Sequence, residues 1–197
     1  LSGEKVDLTI LDINGWSGDL GYFSIPPSPN ISDFNTALIY NGMCLLEGTN
    51  ISEARGTNFP FIQFGTPWID GDELTDQLNA SGLMGVIFHS IEFTPVSLTN
   101  RAKWPKYENE KCYGCSIEVT DIKLFKPLMT AVKVIELIYE RYPDKLKFME
   151  AFFIDKLYGS DQLRKVIIGK RSTVQLLSQW QIDSNRFLQD REPFLRY

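Results

Sequence analysis

The sequence predicts an α/β fold: a small mixed sheet with covering helices. Three observations carry that prediction. Val86–Phe93 and Cys112–Val119 read as two neighbouring strands, the second placing Tyr113, Cys115, Ile117 and Val119 on one face. Leu128, Ala131, Val132, Ile135 and Ile138 recur at helical spacing in the last third of the chain. Asp70, with Glu73 three positions on, has the form of a capping box that opens a helix.

The elements follow in chain order. Val6–Leu11 reads as a short buried strand that opens on Asn14-Gly-Trp16 and a glycine-rich loop. Pro26-Pro-Ser-Pro-Asn30 is rigid and continues neither helix nor sheet. Ser32 is placed to cap a short helix through Tyr40, stopped near Gly42, with a strand as the alternative. The Asp70 helix runs through Leu74 and Leu78 to Gly82. Between the two strands, Thr94 to Lys111 is a long connection holding Arg101, Lys103, Trp104 and Tyr107. Its length suits a lid or binding loop, and equally a surface insertion. Pro127 fits a first helical turn, and that helix runs up to Pro143. Ser160 and Gly169 bracket a helix bearing Leu163, Val166 and Ile167. Ser172 starts another with Leu176, Trp180, Phe187 and Leu188 on its apolar stripe. The chain is expected to form one α/β domain over 1–197.

Composition narrows the function. The 197 residues are 43% hydrophobic and 23% charged, ordinary for a globular protein able to bury a sizeable core. A net charge of −5 gives no basic face for nucleic acid or an anionic membrane, so neither is an expected partner. No apolar run reaches the ~20 residues of a membrane span. The opening Leu1-Ser-Gly-Glu4, with no methionine and no signal-like apolar core, leads to the expectation of a partial or processed chain. Three cysteines make no disulfide framework. In a regular strand Cys112 and Cys115 point oppositely, and His89 is the only histidine, so no metal site and no cofactor are expected.

The run Glu47-Gly-Thr-Asn-Ile-Ser-Glu-Ala-Arg-Gly-Thr57 carries the most chemistry. It packs two carboxylates, a guanidinium and several hydroxyl or amide groups together, with neither a helical nor a strand period. Such a run either braces its own turns or lines a polar site. Phe59-Pro-Phe61 and Phe64-Gly-Thr-Pro-Trp-Ile-Asp70 follow it, adding the apolar walls from which concave sites are built.

Cys44 to Thr57, with Pro67-Trp-Ile-Asp70, resembles the C-terminal half of the NamZ-type exo-β-N-acetylmuramidases, bacterial glycoside hydrolases once known only as a domain of unknown function. The likeness extends from Pro26-Pro-Ser-Pro-Asn30 through Phe93-Thr-Pro95, Cys112-Tyr-Gly114, Val119-Thr-Asp121 and Asp155-Lys-Leu-Tyr-Gly159 to Phe194-Leu-Arg-Tyr197. Ala54 stands where the family usually has glycine, and its Cβ resists positive φ. Cys115 stands where the family usually has a small aliphatic residue.

The resemblance implies removal of terminal N-acetylmuramic acid from non-reducing ends of peptidoglycan fragments, by a secreted or periplasmic enzyme. It also implies a Rossmann-like N-terminal half that carries the proposed catalytic glutamate in a Pro-Glu-His-Gly-like motif. This chain lacks that motif, so it supplies only part of the cleft between the halves, and residues 1–30 become a remnant of the inter-domain region.

Glycoside hydrolysis needs one carboxylic acid and usually a second carboxylate. Glu47 and Glu53 are the catalytic candidates, and Arg55 can pair bidentately with the lactyl carboxylate of a muramic ring. An internal Arg55–Glu53 or Arg55–Glu47 ion pair is the competing account. Thr49, Asn50, Ser52, Thr57 and Asn30 complete the substrate-binding candidates, with Trp16 and Trp68 as platforms for a sugar ring. The alternative is a non-catalytic carbohydrate-binding or interaction domain.

Overall fold

In the computed structural model, the described residues are 7–12, 14–15, 25–169 and 171–195. Val6 and Trp16 lie outside them. Three strands form one sheet: β1 (Gln63–Thr66), β2 (Val86–Phe93) and β3 (Cys112–Val119), in the order β1-β3-β2. The two strands read from sequence have the bounds expected and are neighbours, Val86 opposite Val119 and Phe93 opposite Cys112. Both pairings are antiparallel, so the sheet is small and helix-covered as expected, yet not mixed in direction. β1 is the strand that sequence reading missed, being four residues long with Gly65 inside it. Gly65 faces Gly114 across the ladder, and a Cβ on Gly114 would lie 2.0 Å from the Phe64 carbonyl oxygen. Close packing of β1 on β3 therefore requires glycine at that position.

Among the described residues there are six α-helices, of which the second packs directly on the sheet. α1 (Phe34–Met43) is capped by Asp33, whose carboxylate accepts from the Thr36 N–H at 2.8 Å. Ser32 instead donates its hydroxyl to Asp33, so the cap lies one residue later than expected and the segment is a helix. α2 (Gly71–Ala80) opens on Asp70, which accepts from the Glu73 N–H at 3.0 Å. The reciprocal half of a capping box is absent: the Asp70 N–H donates to the Tyr142 hydroxyl, and Glu73 pairs with Arg141. α3 (Pro127–Arg141) begins with proline and is followed by α4 (Phe153–Tyr158), α5 (Gln162–Ile168) and α6 (Val174–Arg191).

α2 covers the face of the sheet that carries Phe88, Cys115 and Ile117, while α1 and α3 pack together beside it. On the opposite face Cys112 and Phe93 cluster with Ala54, flanked by Ile91 and Tyr107. The two neighbouring cysteines thus point to opposite faces, and all three cysteines are free. Burial pushes the thiols of Cys112 and Cys115 up to about 12, so both are packed protonated groups.

Two expectations need correction. Asp7–Leu11 forms no strand and is solvent-exposed, with Leu8 at 71% and Leu11 at 88%. Among the described residues no strand pairs with it, and an unpaired strand leaves its backbone groups to water. In α6, Leu176 is buried and Trp180 half-buried, but Phe187 and Leu188 are exposed because the helix runs past the body it packs on.

Candidate functional site

The stretch from Glu47 to Thr57 begins in a 3-10 turn, Cys44–Gly48, that prolongs α1. The polar residues behind it hold the backbone. The Thr49 hydroxyl donates to the Leu46 carbonyl at 2.9 Å and accepts from the Ile51 N–H at 3.1 Å. Asn50 clasps a distant segment: its side chain donates to the Lys145 carbonyl and accepts from the Lys147 N–H, at 3.0 and 2.8 Å. Ser52 and Gly65 exchange backbone hydrogen bonds at 3.0 Å, docking the run on β1. The Ser52 hydroxyl accepts from the Ala54 N–H, and the Thr57 hydroxyl donates to the Ala54 carbonyl. Between those two bonds Ala54 is fully buried at φ 56°, the left-handed conformation that glycine adopts freely.

This brace gathers the charges. Arg55 Nη2 lies 3.2 Å from Glu47 Oε1, and its Nε lies 3.8 Å from Glu53 Oε1. That Nε is buried and has no hydrogen-bond partner among the described residues. The guanidinium sits 5.3 Å from the centre of the Phe61 ring, which Tyr40 meets edge-on at 4.8 Å. Lys106 completes the group from the far side, its ammonium donating to Glu53 Oε2 at 2.9 Å and to the carbonyls of Leu46 and Ile51. Glu53 keeps 7% side-chain exposure, against 21% for Glu47 and 36% for Arg55. The cluster is formally neutral and opens to solvent on its Glu47–Arg55 side.

Burial raises the Glu47 carboxyl above its ordinary value; Arg55 opposes the rise and the Glu53 charge adds to it. Burial likewise lowers the Lys106 ammonium, against the pull of Glu53. A carboxyl held above its usual range next to a second carboxylate is the arrangement that proton transfer at neutral pH uses.

Of the sequence candidates, Glu47, Glu53 and Arg55 come together in this cluster, and Thr49, Asn50, Ser52 and Thr57 form the brace behind it. Asn30 is elsewhere, donating its side-chain amide to the Arg101 carbonyl at 2.9 Å. Trp68 lines a separate cleft, and Trp16 lies outside the described residues. Lys106 is the residue that sequence reading missed. Two carboxylates against one guanidinium leave one negative charge to balance, and that deficit was the available signal. The connection that carries Lys106 is packed against the body, with Ala102 and Pro105 buried.

Residues 38–197 match the family described as exo-beta-N-acetylmuramidase NamZ, C-terminal. The chain belongs to this family. It is 31% identical over 196 residues to the peptidoglycan beta-N-acetylmuramidase NamZ of Bacillus subtilis (strain 168), a match covering 97% of the chain and 46% of that relative. Two solved DUF1343 family proteins of Bacteroides fragilis NCTC 9343 are also similar. The first has a TM-score of 0.77 at 22% identity, covering 88% of this chain and 45% of its own, and its likeness is one of fold alone. The second has a TM-score of 0.68 at 27% identity, covering 93% and 47%. The chain spans about half the length of each of these relatives. The motif from Glu47 to Thr57 lies wholly inside the NamZ C-terminal match.

Proposed function

We propose that this chain is the C-terminal part of a longer exo-β-N-acetylmuramidase that releases terminal N-acetylmuramic acid from peptidoglycan fragments. In this reading a Rossmann-like N-terminal half completes the cleft, residues 1–30 belong to the join, and the enzyme works outside the cytoplasm. The observation that carries it is the family match across the charge cluster. Glu47, on the open side with its carboxyl raised, is the group placed to meet substrate. Glu53, nearly enclosed and held by Lys106, positions Arg55 beneath it. Arg55 is then the partner for the lactyl carboxylate, exchanging its Glu47 contact for the ligand.

The longer parent should hydrolyse a chromogenic N-acetylmuramide and leave the matching N-acetylglucosaminide intact. Hydrolysis of neither, or of both equally, sinks the proposal. Arg55→Lys in that parent keeps the charge and loses the planar fork, and should cost about 10-fold or more in kcat/KM on the muramide.

A second reading, a non-catalytic carbohydrate-binding domain, is favoured by one observation: both carboxylates of the cluster are already ion-paired within the chain. Calorimetry of this chain with muramic-acid saccharides separates the readings. Binding that survives Glu47→Gln and Arg55→Lys unchanged supports the second.

A further inference from the structure

The two ion pairs of the charge cluster are not held alike. Lys106 donates to Glu53 at 2.9 Å and to the Leu46 and Ile51 carbonyls, so that pair is fixed from several sides. Arg55 is held loosely. Its Nη2 stands 3.2 Å from Glu47, long for a charge-assisted bond, and its Nε stands 3.8 Å from Glu53, beyond hydrogen-bond reach. Neither carboxylate pairs with the guanidinium bidentately. The Phe61 ring under Arg55 is anchored independently, its backbone N–H donating to the Glu53 carbonyl at 2.7 Å. The exchangeable contact is therefore Arg55–Glu47, on the side that opens to solvent.

An added anion upsets the balance of charge. The cluster is neutral as it stands, and a ligand carboxylate on Arg55 makes three carboxylates against two cations in a half-enclosed site, where an unbalanced charge is costly. Glu53 is nearly enclosed and bound to Lys106, so it cannot relieve the excess. Glu47, already raised by burial, can. The charges that act on it are those of Arg55, Glu53 and Lys106. Tyr40 and Cys44 lie beside it on the α1 side, and burial pushes both up, so both stay neutral. Of the helices packed on the same turn, α4 carries Asp155, paired with Arg164, and the exposed Lys156; α3 carries Lys133 and Glu136, paired with each other.

We infer that a ligand carboxylate displaces Glu47 from Arg55 and that Glu47 takes up one proton from solvent as it leaves, so that an acid-bearing ring binds together with a proton. No bond of the ligand breaks in this step. The proton ends on Glu47, which turns from a hydrogen-bond acceptor into a donor. A ring of the same shape without the acid leaves Glu47 ionised on Arg55, so the ligand's own charge decides the state of the site. The ligand class rests on the muramic-acid reading above, and the coupled proton goes beyond it.

The test is calorimetry of this chain and of the longer parent with N-acetylmuramic acid, in two buffers of different ionisation enthalpy, above the titration range of the ligand's own carboxylate. The expected result is uptake of about one proton per ligand, with affinity falling up to about tenfold per pH unit as pH rises. The uncharged methyl ester of N-acetylmuramic acid should bind at least about tenfold more weakly and show no uptake. Glu47→Gln, shown to be folded by circular dichroism, should bind the acid without uptake or pH dependence, and more tightly than the unaltered protein at the upper end of the range. Binding of the acid without uptake, uptake that persists in Glu47→Gln, equal binding of the ester, or loss of acid binding in folded Glu47→Gln each overturns the inference. So does absence of binding to both the chain and the parent. Muramidase activity of the parent is a separate readout. Hydrolysis beside binding without uptake defeats only this inference; coupled uptake without hydrolysis defeats only the proposed function.

Discussion

Ala54 shows how far one side chain can be pushed within the charged run. Left-handed backbone costs an L-residue roughly 1–2 kcal/mol. The Cβ recovers part of that in the cluster with Phe93 and Cys112, about 0.8 kcal/mol for a buried methyl-sized group. Glycine would also loosen the unfolded chain, costing about 0.4–1 kcal/mol. These effects nearly cancel, so Ala54→Gly should change stability by less than about 1 kcal/mol in urea unfolding. A loss above about 2 kcal/mol would mean the Cβ contact matters more than the strain.

Glu47 gives a signed pH prediction. Its folded value is raised above the ordinary 4.5, so its contribution to stability is fully present below that value and is lost as pH rises through the folded value. Glu47→Gln does not titrate, so the variant should gain on the parent chain as pH rises upward from the ordinary carboxylate range. A constant difference over that rise removes the assignment. Lys106 is tested with its partner. Lys106→Met strands a nearly enclosed Glu53, a loss of about 3–5 kcal/mol, and adding Glu53→Gln should restore roughly half of it. Equal losses in the single and double variants would show that the ammonium serves only the Leu46 and Ile51 carbonyls.

At the scale of elements, α2 separates two meanings of one motif. Asp70→Ala removes a real cap and should cost about 1 kcal/mol, whereas Glu73→Ala loses mainly an exposed pair with Arg141, about 0.5 kcal/mol. Thermal unfolding of the two variants checks the order, and a reversed order would restore the full capping box. The same element shows what the sequence could reveal. Asp70, Pro127 and the alternation in β3 announce themselves through local chemistry, and those elements were legible. β1 was not, because its four residues have no pattern of their own and are held by Ser52 on one side and β3 on the other. Asp7–Leu11 failed for the opposite reason: its local pattern is strand-like, but strand formation depends on a partner. Within the site, Glu47, Glu53 and Arg55 could be grouped because they are close in sequence. Lys106 is 53 residues from Glu53, and no local rule reaches that far.

The whole molecule is a body with an overhang. Residues 181–195 are exposed along their entire length, including Ile182, Phe187 and Leu188. Deleting everything after Asp183 should lower the melting temperature by less than about 4 °C, since little burial is lost. Loss of cooperative unfolding in that truncation would show that the overhang supports the core. The Asn50 clasp has a consequence in time. Asn50 meets Lys145 across 95 residues and Glu53 meets Lys106 across 53, whereas the β2–β3 pairing and the helices close over shorter distances. Contacts that close long loops form late, after the loop entropy has been met by earlier structure. The pairing of β1 with β3, Gln63 with Ser116, closes a loop as long as the Glu53–Lys106 pair, so the β2–β3 hairpin and the helices are expected first, and β1, the charges and the Asn50 clasp last. A species arrested just short of that step would hold its hairpin and helices with its charges still apart.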